Sequence, residues 1–272
     1  MSASNRAAAT QPDSGFGQLL KQWRSQRNFS QLDLSLASDV SQRHISFIES
    51  GRSHPSRDMV LKLAAVLDIP LRQQNKMLTT AGYAPIYSEF DLSAPEVAPI
   101  RRALDFTLRQ QAPYPALVMD RYWNQITANE GAAKLIGWLL AGCAVPESVS
   151  ANLMKLVLHP DGIRAYVENW DAIAPYLIHR VYRESRSQAH SPSSQTLLNE
   201  LLTYPDLKAK QKIPPQEHWD LPLLTISFVK AQTRLSFFTT ITTFGTPHDI
   251  TLQEIRLESM FPADEATERW FN

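Results

Sequence analysis

The stretch from Ser30 to Gly51, SQLDLSLASDVSQRHISFIESG, decides how the chain is read. Ser30 is a natural helix cap, and Asp33 three residues on completes a capping-box pattern. Ser41 is the natural cap of the next helix, and Gly51 stands where a helix end favours a left-handed residue. Two short helices joined by a tight turn follow, the second with polar side chains on its outer face. That is the shape of a module that lays a helix in the DNA major groove. Val40, Ile45 and Ile48 share the inward face, while Gln42, Arg43, Ser46 and Phe47 project the other way. Gln pairs with adenine and Arg with guanine through two parallel hydrogen bonds, each worth about 1–3 kcal/mol of discrimination. Phe47 suits a thymine methyl. Helix N-termini offer free N–H groups to phosphates beside Gln31 and Ser41, and Arg52, Ser53 and His54 lie just past the helix, where the DNA backbone runs.

Working outward, Phe16, Leu19, Leu20 and Trp23 recur at i, i+3, i+4 and i+7 and predict a helix before the pair. Pro55-Ser56 starts a fourth helix with Val60, Leu63, Ala64 and Leu67 on one face, and Pro70 opens a fifth that runs to about Gly82. Residues 14–84 thus read as a five-helix domain, preceded by a disordered tail over 1–13. Between Ser14 and Ala84 nine Lys/Arg stand against five acids, a net +4. The whole chain balances 27 against 27, so the remainder carries −4. A basic head on an acidic body places the polyanion partner at the head.

Residues 85–96 are proline-bearing and without helical period, and read as a linker. A helix from about Val97 to Gln111 is expected next, then a strand over Pro115–Met119. Helical stretches follow over roughly Glu130–Leu140, Ala151–Leu158, Gly162–Ser185 and Ser193–Thr203. Leu223–Lys230 and Arg234–Phe244 are dense in β-formers, with Lys230-Ala231-Gln232-Thr233 as a hairpin turn, and Ile250–Phe261 reads as a further strand. Residues 97–265 therefore form a mixed domain with a small antiparallel sheet, and 266–272 a C-terminal tail.

The series Ser30-Gln31…Leu34…Val40-Ser41…Ile45-Ser46…Ile48-Glu49-Ser50-Gly51-Arg52…Pro55-Ser56…Leu63-Ala64…Leu67 resembles the helix-turn-helix of the XRE family of phage-repressor-type regulators. It departs at Ser35, where that family usually has Ala, and at Asp39, where Gly is common. Ser is small and Asp tolerates left-handed backbone. The resemblance implies a lambda-repressor-like head in which Gln31 and Ser41 contact phosphates and Gln42, Arg43 and Ser46 face bases. The DNA-contact set is Gln31, Ser41, Gln42, Arg43, His44, Ser46, Phe47, Arg52 and Ser53. Pro113–Val118, Asp120–Asn124, Ala128-Asn129, Leu158–Gly162, Phe244–Thr251 and Phe261–Asp264 resemble, in order, the ligand-binding domain of MmyB-like regulators. That resemblance implies a PAS-like sheet with helices over one face and a pocket for a fatty acid or similar small apolar molecule.

Tyr114, Trp123 and Phe238 among the aromatics, with Asn129, Asn152 and His159 as polar groups, form the ligand-facing set. For any single aromatic the plainer reading is the domain core, and each polar residue is at least as well suited to cap a helix or fix a turn. Composition excludes other classes. No run of about 18 apolar residues spans a membrane, the N-terminus lacks a signal-peptide core, and the single Cys143 forms no internal disulfide and fits a cytoplasmic setting. Cys143, His159 and Asp161 lack a nucleophile-elbow context, and no phosphate-cradling glycine loop or zinc-ligand spacing is present. No cofactor motif is visible, although the PAS-like class also takes haem or flavin. The expectation is a cytoplasmic, nucleoid-associated, non-enzymatic transcription regulator. It would act as a homodimer on a pseudo-palindromic double-stranded DNA operator, with a small-molecule effector. Two alternatives stay open: a body that only mediates protein contacts, and an enzyme fused to a DNA-binding head.

Overall fold

The computed structural model describes residues 15–187, 192–212, 224–245 and 247–272; the tail read at 1–13 lies outside them. The chain divides into two units, residues 1–89 with 248–250, and residues 90–247 with 251–272. The first holds five helices: α1 (Phe16–Gln26), α2 (Gln31–Ser38), α3 (Gln42–Glu49), α4 (Arg57–Val66) and α5 (Leu71–Thr80). Each expected cap is made. Ser30 and Asp33 close a reciprocal capping box, and Ser41 and Ser56 accept the backbone N–H groups of His44 and Met59. Asp39 takes the left-handed turn that a glycine would otherwise occupy, at φ 51°, and Gly51 ends α3 at φ 72°.

The core of this unit is Leu20, Trp23, Leu34, Ile45, Ile48, Val60, Leu63, Leu67, Met77 and Leu78, each at most 2% exposed. Gly17 lets α1 approach α3, since a Cβ there would lie 2.4 Å from the Ile48 carbonyl oxygen. Part of the expected linker is folded onto α5. The Asn75 side-chain oxygen accepts the Ile86 and Tyr87 N–H groups, its amide donates to the Tyr87 carbonyl at 2.8 Å, and Arg72 pairs with Glu89. Proline content signals the absence of a helix, but it does not signal the absence of fixed structure. Residues 90–96 belong to the second unit.

The second unit runs α6 (Ala98–Gln111), β1 (Ala116–Met119), β2 (Gln125–Ala128), α7 (Glu130–Leu140), α8 (Glu147–Ser150), α9 (Leu153–Leu158), α10 (Trp170–Ser187), α11 (Pro192–Leu201), α12 (Leu207–Lys210), β3 (Thr225–Lys230), β4 (Thr233–Thr242), α13 (Ile250–Glu254), β5 (Arg256–Pro262) and α14 (Glu265–Phe271). The five strands form one antiparallel sheet in the order β2-β1-β5-β4-β3. Lys230 pairs with Thr233, so the β3–β4 hairpin turns where the sequence predicts. Strand β1 is buried on both faces. Ala116 and Val118 meet α6 and Leu257, while Met119 joins the cluster with α9, α10 and α11. Helices therefore cover both faces of the sheet, not one.

Three expectations are corrected, and one strand is added to them. Residues 266–272 are not a tail: Asp264 caps α14, and Thr267 and Phe271 are buried against the sheet. The strand expected over Ile250–Phe261 begins only at Arg256, because α13 occupies Ile250–Glu254. The helix expected over Gly162–Ser185 is broken between a 3-10 turn at Ile163–Tyr166 and α10. The intervening backbone is bound by β3, with Glu168 N–H donating to the Ser227 carbonyl and the Asn169 side chain bridging Thr225 and Ser227. Strand β2, short and half exposed, is the addition and carries no strand signal in the sequence.

Candidate DNA-reading face and ligand cavity

On α3, Ile45 and Ile48 are fully buried, which turns Ser41, Gln42 and Arg43 to solvent. Ser46 and Phe47 are half-buried on the same outer side. The Arg43 and Arg52 guanidinium groups lie 5.2 and 5.9 Å from the Phe47 ring centre, so two cations gather about the ring. The base of the face is braced from within. Glu49 takes a two-pronged ion pair from Arg24, at 2.6 and 3.0 Å, and that hydrogen bond raises the Arg24 pKa above its usual value. The Gln31 amide donates to the same carboxylate at 2.8 Å. Gln31 is thereby oriented at the N-terminus of α2. His44 is half-buried, Ser53 is half-buried, and Arg52 is exposed.

In the second unit a cavity of about 90 Å³ lies between the sheet and helices α7, α9 and α10. That is room for several water-sized spheres. Most of its wall is apolar: Leu135 and Leu139 from α7, Met154 and Leu156 from α9, Leu177 from α10, and Leu117, Ile226, Phe228 and Met260 from the sheet. Polar groups gather among Trp123, Tyr176, Arg180, Thr239 and Glu258. Trp123 is 1% exposed and held at φ 69°, a backbone region costly for a bulky residue. The Asp120 carboxylate sets that turn by accepting the N–H groups of Tyr122 and Asn124 at 2.7 and 2.9 Å. Arg180 and Arg256 each stack on the indole at 4.7 Å, and Glu184 accepts its N–H at 3.0 Å while pairing with both arginines. Burial raises the Glu258 pKa from its ordinary value, against the opposing Arg180 charge and a Thr239 hydrogen bond.

The MmyB-like transcription regulator ligand-binding domain matches residues 100–272, and a helix-turn-helix model matches residues 20–74. The chain belongs to the MmyB-like transcription regulator family. No curated protein matches it. This MmyB-like regulator is a DNA-binding transcription regulator with a ligand-binding C-terminal domain.

Of the six residues expected to face a ligand in this MmyB-like regulator, Trp123 reaches the cavity wall and five are placed elsewhere. Asn129 caps α7 and knits it to Ala116, Leu108 and Tyr114. Asn152 caps α9 and binds the Tyr122 carbonyl. His159 packs edge-on against Tyr204 and accepts the Asp161 N–H, while Cys143 meets the Tyr166 hydroxyl at 3.3 Å, so no Cys–His pair forms. Tyr114 packs on Phe271, and Phe238 stacks on Phe261. Side-chain oxygens that satisfy a helix end are committed to structure, which is why these polar residues turn away from the cavity. Arg180, Thr239 and Glu258 escape a reading by type. Only the alternation along β5, with Glu258 and Met260 on one face, marks a carboxylate where an apolar side chain is expected. Among the described residues no group of acids, histidines and cysteines is set to hold a metal, and no helix is long and apolar enough to cross a membrane.

Proposed function

We propose that this MmyB-like regulator binds a pseudo-palindromic operator as a homodimer and that a small, fatty-acid-like molecule in the second unit biases that binding. The observation that carries the reading is the mostly apolar cavity beneath the sheet, with a strained tryptophan and two charged side chains in its wall. Well-packed domains leave few voids larger than a water, so a retained apolar cavity supports a ligand role. At the head, Gln42, Arg43 and Ser46 read bases while Gln31, Ser41, Arg52 and Ser53 hold phosphates, with His44 and Phe47 completing the face. Two recognition helices would meet half-sites roughly 34–36 Å apart. A ligand that prefers one dimer geometry changes operator affinity by its differential binding to the two states. The protein is neither an enzyme nor membrane-bound in this reading and acts in the cytoplasm at the nucleoid.

Native mass spectrometry of protein purified from cells, with and without DNA, tests it. Dimers that carry or accept a small molecule support the reading. A monomer both free and on DNA overturns the dimer. Failure to take up any small apolar molecule reduces the second unit to a protein-contact module.

A further inference from the structure

Arg43 and Arg52 reach the Phe47 ring by two routes that one short helix dictates. Arg43 stands one turn before Phe47 on α3, where side chains lean toward the N-terminus, so the two meet with the guanidinium 5.2 Å from the ring centre. Arg52 arrives through the helix end. Its N–H donates to the Phe47 carbonyl at 2.8 Å and the Gly51 N–H to the Ile48 carbonyl at 3.1 Å, with Gly51 at φ 72°. These are the paired backbone bonds of a glycine-ended helix, which bring the residue after the glycine back over the last turn. An apolar side chain ordinarily fills that place. Here Arg52 does, its guanidinium 5.9 Å from the ring centre.

The donors of this cluster are free. Among the described residues no ion pair or side-chain hydrogen bond engages the Arg43 or Arg52 guanidinium, whereas Arg24 is taken by Glu49 and Arg27 by the Leu67 carbonyl. Both arginines are exposed, and the ring between them is only half-buried. Packing does not require it there, since Ile45 and Ile48 already anchor α3 in the core. A guanidinium resting on an aromatic ring keeps its planar fork oriented, so it loses less freedom when it pairs. The fork and the ring are therefore presented together, one helical turn apart, on the face that reads DNA.

What such a pair can read follows from the major groove. Guanine offers O6 and N7 to an arginine fork, and the C5 methyl of thymine takes an apolar contact in the same groove. Successive bases on a strand are stacked about 3.4 Å apart. The methyl of a pyrimidine on the 5′ side of a guanine thus lies beside that guanine's O6/N7 edge. Two groups joined on the protein match two groups joined on the strand. We propose that Arg43 and Phe47 act as one specificity-determining unit that reads a guanine preceded by a C5-methylated pyrimidine, with Arg52 on the adjoining phosphate. Thymine and 5-methylcytosine carry the same methyl, so the regulator accepts either before the guanine and responds to methylation of a CG step. This rests on the assignment of α3 as the base-reading helix.

The test begins with the duplex that the full chain selects from a random DNA pool, which should contain a pyrimidine–guanine step. Four versions of that duplex are then compared in binding titrations, with TG, deoxyuridine-G, CG or 5-methyl-CG at the step. The first and second differ by one methyl group, as do the third and fourth. In each pair the methylated member should bind about fourfold more tightly, the value of one buried methyl-sized group. Phe47→Ala should bring both ratios to one, and Phe47→Tyr, which restores a ring, should recover them. A purely structural role for Phe47 would weaken all four duplexes alike and leave the ratios intact, which overturns the proposal. Equal binding within both methyl pairs by the unaltered chain, a comparison that needs no variant to fold, overturns it as well, as does a selected site without a pyrimidine–guanine step. In these cases the assignment of α3 to DNA reading stands. Failure to select any sequence overturns both.

Discussion

The DNA-reading face and the cavity are built in opposite ways. The face is one contiguous run, Ser41 to Ser53, in which helix period alone separates buried Ile45 and Ile48 from exposed Gln42 and Arg43. The polar part of the cavity wall draws Trp123, Arg180, Thr239 and Glu258 from four places spread over 136 positions of chain. A contiguous site carries its geometry in its own hydrogen bonds, so its residues can be altered singly with local effect. An assembled site depends on every element that delivers a part of it.

The largest expected effect comes from the one place where the contiguous face leans on a distant partner. Glu49→Ala leaves the Arg24 guanidinium without its carboxylate and frees Gln31. It should destabilise the first unit by about 3 kcal/mol. Scanning calorimetry would show the first unit's transition falling while the second unit's holds; a joint shift would mean that the face is less self-contained than its sequence suggests. Gly17→Ala should cost about 2 kcal/mol, because its new methyl group meets the α3 backbone rather than a side chain that can move. The same thermal scan reports it, and an unchanged first transition would show that α1 and α3 can part freely.

On binding, Arg43→Ala should cost about 1–3 kcal/mol on the preferred site and relax selectivity at one base position. Competition between selected and random DNA measures this, and equal losses on both would assign Arg43 to the phosphates. Ser41→Ala removes the cap bond to His44 and should cost about 1 kcal/mol of stability, with binding weakened alike on all sequences. The smallest effect is optical. Burial, with Glu200 adding to it, pushes the Tyr204 phenol up to about 12. Its raised folded value means that the stabilisation present below the ordinary phenol pKa is lost as pH climbs through about 12. An ultraviolet titration should resolve a phenol ionising near pH 12, and Tyr204→Phe should abolish that step.

Legibility in the sequence followed the same division. The caps at Ser30, Ser41 and Ser56 and the turn at Asp39 were readable because each is a bond between near neighbours. The β3–β4 hairpin was readable for the same reason. Helix α13 was hidden under a strand-like alternation, and the break before α10 exists only because β3 uses that backbone. Asn129, Asn152 and His159 look like ligand groups by type and are structural by contact, since a side chain that caps a helix looks no different in sequence from one that awaits a ligand.

The amino-acid sequence by itself determined the five-helix head, its recognition helix, the antiparallel character of the second unit and the family resemblance. The first three rest on periodicities and bonds between residues close along the chain, and the resemblance rests on the matching residues themselves. Tertiary structure alone decided that 266–272 is a packed helix, that the start of the supposed linker is bound to α5, and that Arg180 and Glu258 face one cavity. Those outcomes depend on which surfaces meet across long separations, where burial and strand register, not local propensity, set the position of each side chain.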